Sequence, residues 1–365
     1  MLRSAPRDIP LRTRPSRRTT GPRVRLVGGI TALAAPGGGE VQLVETARAL
    51  AASGLDARLY RPWEDAFDSF DVLHLFGSLP EHVPLALAAR RRGVRVVLST
   101  IAWFDLASRW HAAPGRLARL SDCGKLLLRA AVPRWPSWRR RLYVVADRLL
   151  PNSAAEARQL VRWFALDEAN IRIVPNGADP RIAAADPEPF ARRAGGRGFV
   201  LCAGRIEPRK NQLALLRALR DAPWPVVVLG DVVPGHEEYA RRCRAAAGPR
   251  VQFHPAVPHD DPLLASALAA CGCLVLPSWF ETPGLVALEA AQLGTPLVLT
   301  SRGATHEYFG RWAQYIEPDD PASMRHGVAA ALSMERRQSL ARMAESRYTW
   351  AAVARETRAV YDELV

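Results

Sequence analysis

Short apolar runs that alternate with amphipathic stretches constrain this chain more than any other feature of its sequence. Residues 24–28, 56–60, 71–75 and 94–99 each have the length and the aliphatic content of a β-strand. Stretches with helical periodicity separate them, from about 40 to 52 and from about 80 to 91. Strands that are apolar throughout are covered on both faces, and an intervening helix is the crossover that lets neighbouring strands run parallel. The first half therefore predicts an α/β unit with a parallel sheet.

The alternation continues with one interruption. Residues 106–141 are helical in character but broken by Pro133 and Pro136, and residues 143–150 read as the next strand, stopped at Pro151. Ser153 then caps a helix, with Glu156 three positions on to complete a capping box. Residues 171–177 close this half, and 178–196 have the Ala, Asp, Pro, Arg and Gly content of a linker. A second series of strands follows at 198–204, 225–229, 251–253, 273–276 and 296–299. At 365 residues the chain is comfortable as two domains. The expected organisation is two doubly wound, Rossmann-like domains, 24–177 and 197–347, that face a central cleft. Ligands of such sheets bind at the carboxyl ends of the strands. A last helix, within 348–365, lies beyond the final strand–helix unit.

Composition narrows the partners. The net charge is +14, yet lysine occurs only at Lys125 and Lys210, so arginine carries nearly all of the positive charge. A basic surface attracts anions, here nucleotides or lipid headgroups rather than nucleic acid. Residues 1–23 hold seven arginines and a single acid, Asp8, with no apolar core of a secretory signal. They read as a disordered basic leader. The five cysteines have no metal or disulfide spacing and read as small buried residues. Residues 263–280 carry no charge over eighteen positions, but Gly272 and Pro277 divide them into a helix and a buried strand. A soluble, cytoplasmic protein is expected.

Three segments carry chemistry. Arg205 and Lys210 lie in the turn after the strand at 198–204, where a helix start and two cations suit a diphosphate. A compact ammonium at 210, in a chain that otherwise uses arginine, strengthens that reading. Glu281 and Glu289 flank another strand-to-helix turn, in which Gly284 lets the backbone approach a ligand and the N–H groups of Gly284, Leu285 and Val286 form an anion seat. Eight helical steps would span about 12 Å, so the two acids look like contacts to opposite ends of an elongated ligand. Gly37, Gly38 and Gly39 stand in the first strand-to-helix loop and fit either a phosphate or sugar contact or a plain flexible loop.

Together these residues resemble the retaining glycosyltransferases of family 4, also called group 1, which have the GT-B fold. The acid, seven residues, acid signature is matched by Glu281 and Glu289, and the Gly-Arg-x-x-x-x-Lys turn by Gly204, Arg205 and Lys210. Residues 174–177, 146–153, 71–74 and 37–40 are similar to further motifs of that family. The resemblance implies catalytic roles for Glu281, Arg205 and Lys210. The two cations would hold the donor diphosphate, and Glu281 would contact the transferred sugar. Glu289 would hold the ribose hydroxyls, with Gly284, Leu285, Val286, Gly38 and Gly39 also on the donor. No metal and no cofactor beyond a UDP- or GDP-sugar donor is implied, and the terminal helix would cross back onto the first domain.

Many relatives carry a histidine after the fourth strand of the first domain. Here that region, 98–105, has none, and Ser99, Thr100 and Asp105 are the acceptor-side candidates. The acceptor class stays open between a glycan, a lipid-linked sugar and a small molecule. The arginines and aromatics of 129–143 fit either a membrane interface, peripheral at the inner face of the cell membrane, or a solvated helix face. The competing function is a non-catalytic nucleotide-sugar or glycan-binding partner on the same scaffold.

Overall fold

The structure, a computed structural model, describes residues 21–29, 37–107, 110 and 115–365. The expected basic leader lies almost wholly outside the described residues.

Two parallel sheets form. The first contains β1 (Val24–Val27), β2 (Ala57–Leu59), β3 (Val72–Phe76), β4 (Arg95–Ser99) and β5 (Arg148–Leu150), in the order β2-β1-β3-β4-β5. The second contains β6 (Val200–Ala203), β7 (Val226–Leu229), β8 (Val251–His254), β9 (Cys273–Leu276), β10 (Leu297–Thr300) and β11 (Ala313–Ile316). Its order is β11-β10-β9-β6-β7-β8. Every residue of β3, β6, β7, β9 and β10 is buried, as the apolar runs require of strands covered on both faces. The winding reverses beside β1 in the first sheet and between β6 and β9 in the second. Crevices at the carboxyl ends open at such points. The chain folds as the GT-B pair of domains that the sequence predicts.

Three local differences have physical causes. Residues 143–145, which read as strand, end the helix Trp138–Val145 instead. Ser137 caps that helix, Leu142 and Tyr143 pack into the first core, and β5 starts only at Arg148. Residues 188–194, of linker composition, form the helix Glu188–Ala194, whose Phe190, Ala191 and Ala194 belong to the second core. The edge strand β11 has no strand signature in the sequence, because its two central residues are only half-buried.

The domains meet at a double crossing. Gly177 lies against the returning chain so closely that a Cβ would stand 2.6 Å from the carbonyl carbon of Thr349. Beyond it the helix Trp350–Asp362 packs on the first domain's helix Gly38–Ala52. Its Tyr361 hydroxyl is 2.6 Å from Nδ1 of the buried His74, whose Nε2 is 2.9 Å from Ser99 Oγ. Burial drives the His74 pKa down to about 3, so the ring is neutral. On the second domain, Tyr308 donates its hydroxyl to the carbonyl of Asn152 at 2.6 Å and accepts from the Asn176 N–H at 2.9 Å. Glu307 accepts from the N–H groups of Ala154 and Ala155, the start of the helix Ala154–Phe164.

Candidate functional site

The segments that hold Arg205 and Lys210, and Glu281 and Glu289, follow β6 and β9, the strands on either side of the second sheet's reversal. Adjacent parallel strands bring turns distant in sequence to one crevice, and they do so here. Lys210 Nζ lies 2.6 Å from Glu281 Oε1, which also accepts from Ser278 Oγ at 2.5 Å. Glu281 is 4% exposed, so its charge depends on partners. Burial opposes its ionisation, but the Lys210 and Arg209 charges and the hydrogen bonds from Lys210 and Ser278 outweigh that and hold the carboxyl below its usual value.

Backbone geometry locks the pair. Pro208–Lys210 is a single 3-10 turn, and Asn211, in the left-handed conformation with φ 56°, ends it. The Asn211 amide donates to the carbonyls of Pro277 at 3.1 Å and Pro318 at 2.6 Å, tying this turn to the β9 turn. The helix after it, Gln212–Ala218, starts beyond Lys210. Cation side chains rather than a helix terminus therefore dominate this part of the crevice. Gly303, at φ +107°, passes so close to Glu281 that a Cβ would stand 2.1 Å from its carbonyl oxygen, and Ala304 N donates to that oxygen at 2.8 Å.

Gly284 adopts φ 88° at the head of the helix Leu285–Gln292, and a Cβ there would meet Leu276 at 2.9 Å and the Glu281 carboxylate at 3.3 Å. Ala287 makes the first amide bond inside that turn, to the Gly284 carbonyl at 2.9 Å. The N–H groups of Gly284, Leu285 and Val286 precede it. Glu289, one helical turn further, is 4% exposed and faces a different partner, with His259 Nδ1 at 3.1 Å from its Oε1. The Glu289 hydrogen bond outweighs desolvation and raises the His259 pKa above the usual value, with help from the charges of Glu289, Glu45 and Asp260. The two acids thus have separate partners, Lys210 for Glu281 and His259 for Glu289.

The first domain closes the opposite wall. Gly37 donates its N–H to Glu40 Oε2 at 2.8 Å, and Gly38 and Gly39 open the helix Gly38–Ala52. A Cβ on Gly37 would stand 3.0 Å from the Arg205 guanidinium, and one on Gly38 would stand 3.8 Å from Leu285. The glycine loop therefore brings backbone against both the Arg205 turn and the start of the helix Leu285–Gln292. Trp103 stacks on Phe280 with ring centres 5.9 Å apart, while Arg209 lies 5.3 Å from the Phe280 ring.

The acceptor-side candidates have other partners. Ser99 is bonded to His74, and Thr100, fully buried, donates to Glu156 Oε1 at 2.5 Å. Asp105 is half-buried at the end of the loop. Ile101 occupies the left-handed region at φ 44°, an outlier for a β-branched residue, and its Cδ1 is 3.6 Å from a Cβ position on Gly39. Glu156 organises this loop by accepting from Thr100 Oγ1, Ala102 N at 2.7 Å and Asn152 N at 3.0 Å, while the Glu156 N–H donates to Ser153 Oγ at 3.1 Å. Sequence reasoning assigned Glu156 to a cap and did not single out His259, Trp103, Phe280 or Ser278. Only the last two had a signal, their place inside the Glu281 segment.

The chain is similar to known proteins in sequence and in fold. The description "Glycosyl transferase 4-like domain" matches residues 66–177, and "Glycosyl transferases group 1" matches residues 188–350. A D-inositol 3-phosphate glycosyltransferase of Arthrobacter sp. (strain FB24) is 34% identical over 270 residues, 64% of each chain. Across curated relatives of that description, the chain spans between 41% and 64% of their length. In fold it is similar to a sucrose-phosphate synthase from Thermosynechococcus elongatus, with TM-score 0.71, 18% identity and coverage of 94% of this chain and 99% of that one. It is also similar to Anabaena HepE in complex with UDP-glucose, with TM-score 0.69, 16% identity and coverage of 94% and 100%. With one family description matching each domain and two parallel-sheet domains of matching fold, the chain belongs to the group 1 glycosyltransferases of GT-B fold.

Proposed function

We propose that the protein is a retaining glycosyltransferase that moves a hexose-type sugar from a nucleotide-diphosphate sugar to an acceptor bound against the first domain. The observation that carries this reading is the buried Lys210–Glu281 pair, 2.6 Å apart, between the turns of β6 and β9. Arg205, against Gly37, and Lys210 neutralise the donor diphosphate, and the charge that grows on the leaving phosphate is stabilised there. Glu281, kept ionised by its cations, accepts from hydroxyls of the sugar and favours positive charge at its anomeric carbon. Glu289 holds the ribose hydroxyls, and the amides of Gly284, Leu285 and Val286 face the phosphates, with Gly38 and Gly39 closing over them. In this reading the positive charge comes from side chains rather than from a metal ion. The reaction is front-face, and the leaving phosphate takes the acceptor proton.

The acceptor wall is formed by Ile101, Trp103 and Phe280 rather than by the hydroxyls of Ser99 and Thr100. Peripheral attachment to an anionic membrane, and with it a lipid-linked acceptor, is supported by the helix Arg116–Ala131. Its Leu117, Leu120, Leu127 and Leu128 are exposed, with Trp135 just beyond and a run of arginines at 139–141. No helix among the described residues is long and apolar enough to cross a membrane.

Thermal-shift measurements with UDP, GDP and their sugars test the donor class, and product anomer analysis tests retention. Stabilisation by one diphosphate is expected, with loss in Lys210→Ala of about tenfold or more in affinity, as one charge-assisted contact implies. A panel in which no nucleotide stabilises the protein would overturn the reading. Nucleotide binding without sugar release on any acceptor would favour the non-catalytic binding partner, for which the absent histidine at the Ile101 loop is the supporting observation.

A further inference from the structure

The end of the crevice away from Lys210 holds a histidine outside the family signature. His259 lies in the loop between β8 and the helix Pro262–Ala270, and its Nδ1 is 3.1 Å from Oε1 of Glu289. Glu289 springs from the helix Leu285–Gln292, whose residues 287–292 are all buried, so its carboxylate reaches the crevice from a fixed base. The His259 side chain is about one-third exposed and feels the charge of Glu45 on the first domain's helix Gly38–Ala52. It therefore sits where the two domains face each other. Beside the loop opens a recess of about 170 Å³ lined in part by Pro255, Val257 and Pro258.

A carboxylate that grips two neighbouring hydroxyls must present both oxygens in one plane, and its last torsion is soft. A donor on one oxygen fixes that plane, as a supporting partner does for a binding group. The imidazole takes one lone pair of Oε1 and so sets the plane in which the remaining lone pairs of Oε1 and Oε2 meet the two hydroxyls.

We propose that His259 is a positioning residue of the donor site, one that orients the Glu289 carboxylate for the vicinal hydroxyls of a nucleotide ribose and so sets a preference for ribonucleotides over deoxyribonucleotides. This rests on the crevice being a nucleotide-sugar site.

Titration calorimetry with UDP and GDP, and with the 2′-deoxy form of each, tests it on the full chain. The wild-type protein is expected to prefer the ribonucleotide by about tenfold, the worth of one hydrogen bond to a charged group. His259→Ala should shrink that ratio to within about threefold while the deoxynucleotide affinity stays near the wild-type value. His259→Asn, whose amide nitrogen can stand near the Nδ1 position, should restore the preference. Circular dichroism and melting curves check that each variant is folded. Equal weakening of both nucleotides in His259→Ala, an unchanged ratio, or no restoration by His259→Asn would overturn the proposal. A wild-type protein that binds UDP or GDP without ribose preference would overturn it as well, and leave the donor reading standing. No nucleotide binding at all would sink the donor reading, and this assignment with it.

Discussion

Two buried carboxylates respond to pH with opposite signs because their surroundings differ. Glu281 is held below its usual value by Lys210 and Arg209, so it adds stability above the unfolded carboxyl value that is lost as pH falls through the folded one. Among the described residues Glu156 has three hydrogen-bond donors and no cation partner, and burial raises its pKa to about 7. The folded state then binds a proton that the unfolded state has released, so stability falls as pH rises from about 4.5 to about 7, and levels off above. The span corresponds to on the order of 3 kcal/mol. Glu156→Gln should flatten this interval, read as a smaller difference in melting temperature between pH 5 and pH 7.5. An unchanged pH profile would show that Glu156 is ionised throughout. In Glu281→Gln the Lys210 ammonium loses its buried counter-charge. The unliganded variant should melt lower, and on the proposed mechanism, in which Glu281 acts mainly in the transition state, kcat/KM should fall by about a hundredfold or more.

At the scale of elements, turns decide the site. Gly303 has no room for a methyl group, since a Cβ would stand 2.1 Å from the Glu281 carbonyl oxygen at a φ of +107°. Gly303→Ala should push the β9 turn away from Lys210 and raise the donor KM more than tenfold, on the order of the 1–3 kcal/mol that strained backbone costs. Retention of wild-type kinetics would mean that the loop after β10 yields without moving Glu281. The exposed stripe of Arg116–Ala131 makes a second prediction. Replacing Leu117, Leu120, Leu127 and Leu128 by serine should abolish co-sedimentation with anionic vesicles and leave soluble-acceptor activity intact. Equal partition onto anionic and neutral vesicles would remove the anionic surface from the reading, and no partition onto either would remove the membrane. The linker composition of 188–194 concealed a helix, because Phe190 acquires its meaning only from the second core into which it fits. The signature segments were legible in sequence for the opposite reason. Their glycines and prolines answer to local backbone demands, such as φ 88° at Gly284.

The whole molecule is joined by a chain that crosses between the domains twice and by a terminal helix that belongs to the first domain's core. Tyr361 is fully buried 2.6 Å from His74, although 287 residues separate them in sequence. Tyr361→Phe should leave His74 Nδ1 unpaired at a cost of about 1–3 kcal/mol. That corresponds to a fall of roughly 2–4 °C in melting temperature per kcal/mol for domains of this size. Nucleotide affinity should not change, because the network lies behind the crevice. By itself the sequence determined the strand–helix alternation, the two-domain parallel-sheet fold and the two motif segments that follow β6 and β9. Each of these is written in short-range periodicity or in residues that a turn demands. The tertiary structure decided which side chains meet. It paired Lys210 with Glu281 across the reversal between β6 and β9, and gave Glu289 to His259. It also withdrew Ser99 and Thr100 into buried hydrogen bonds. A side chain's partner depends on how sheets are wound and domains are docked, and no local pattern along the chain carries that information.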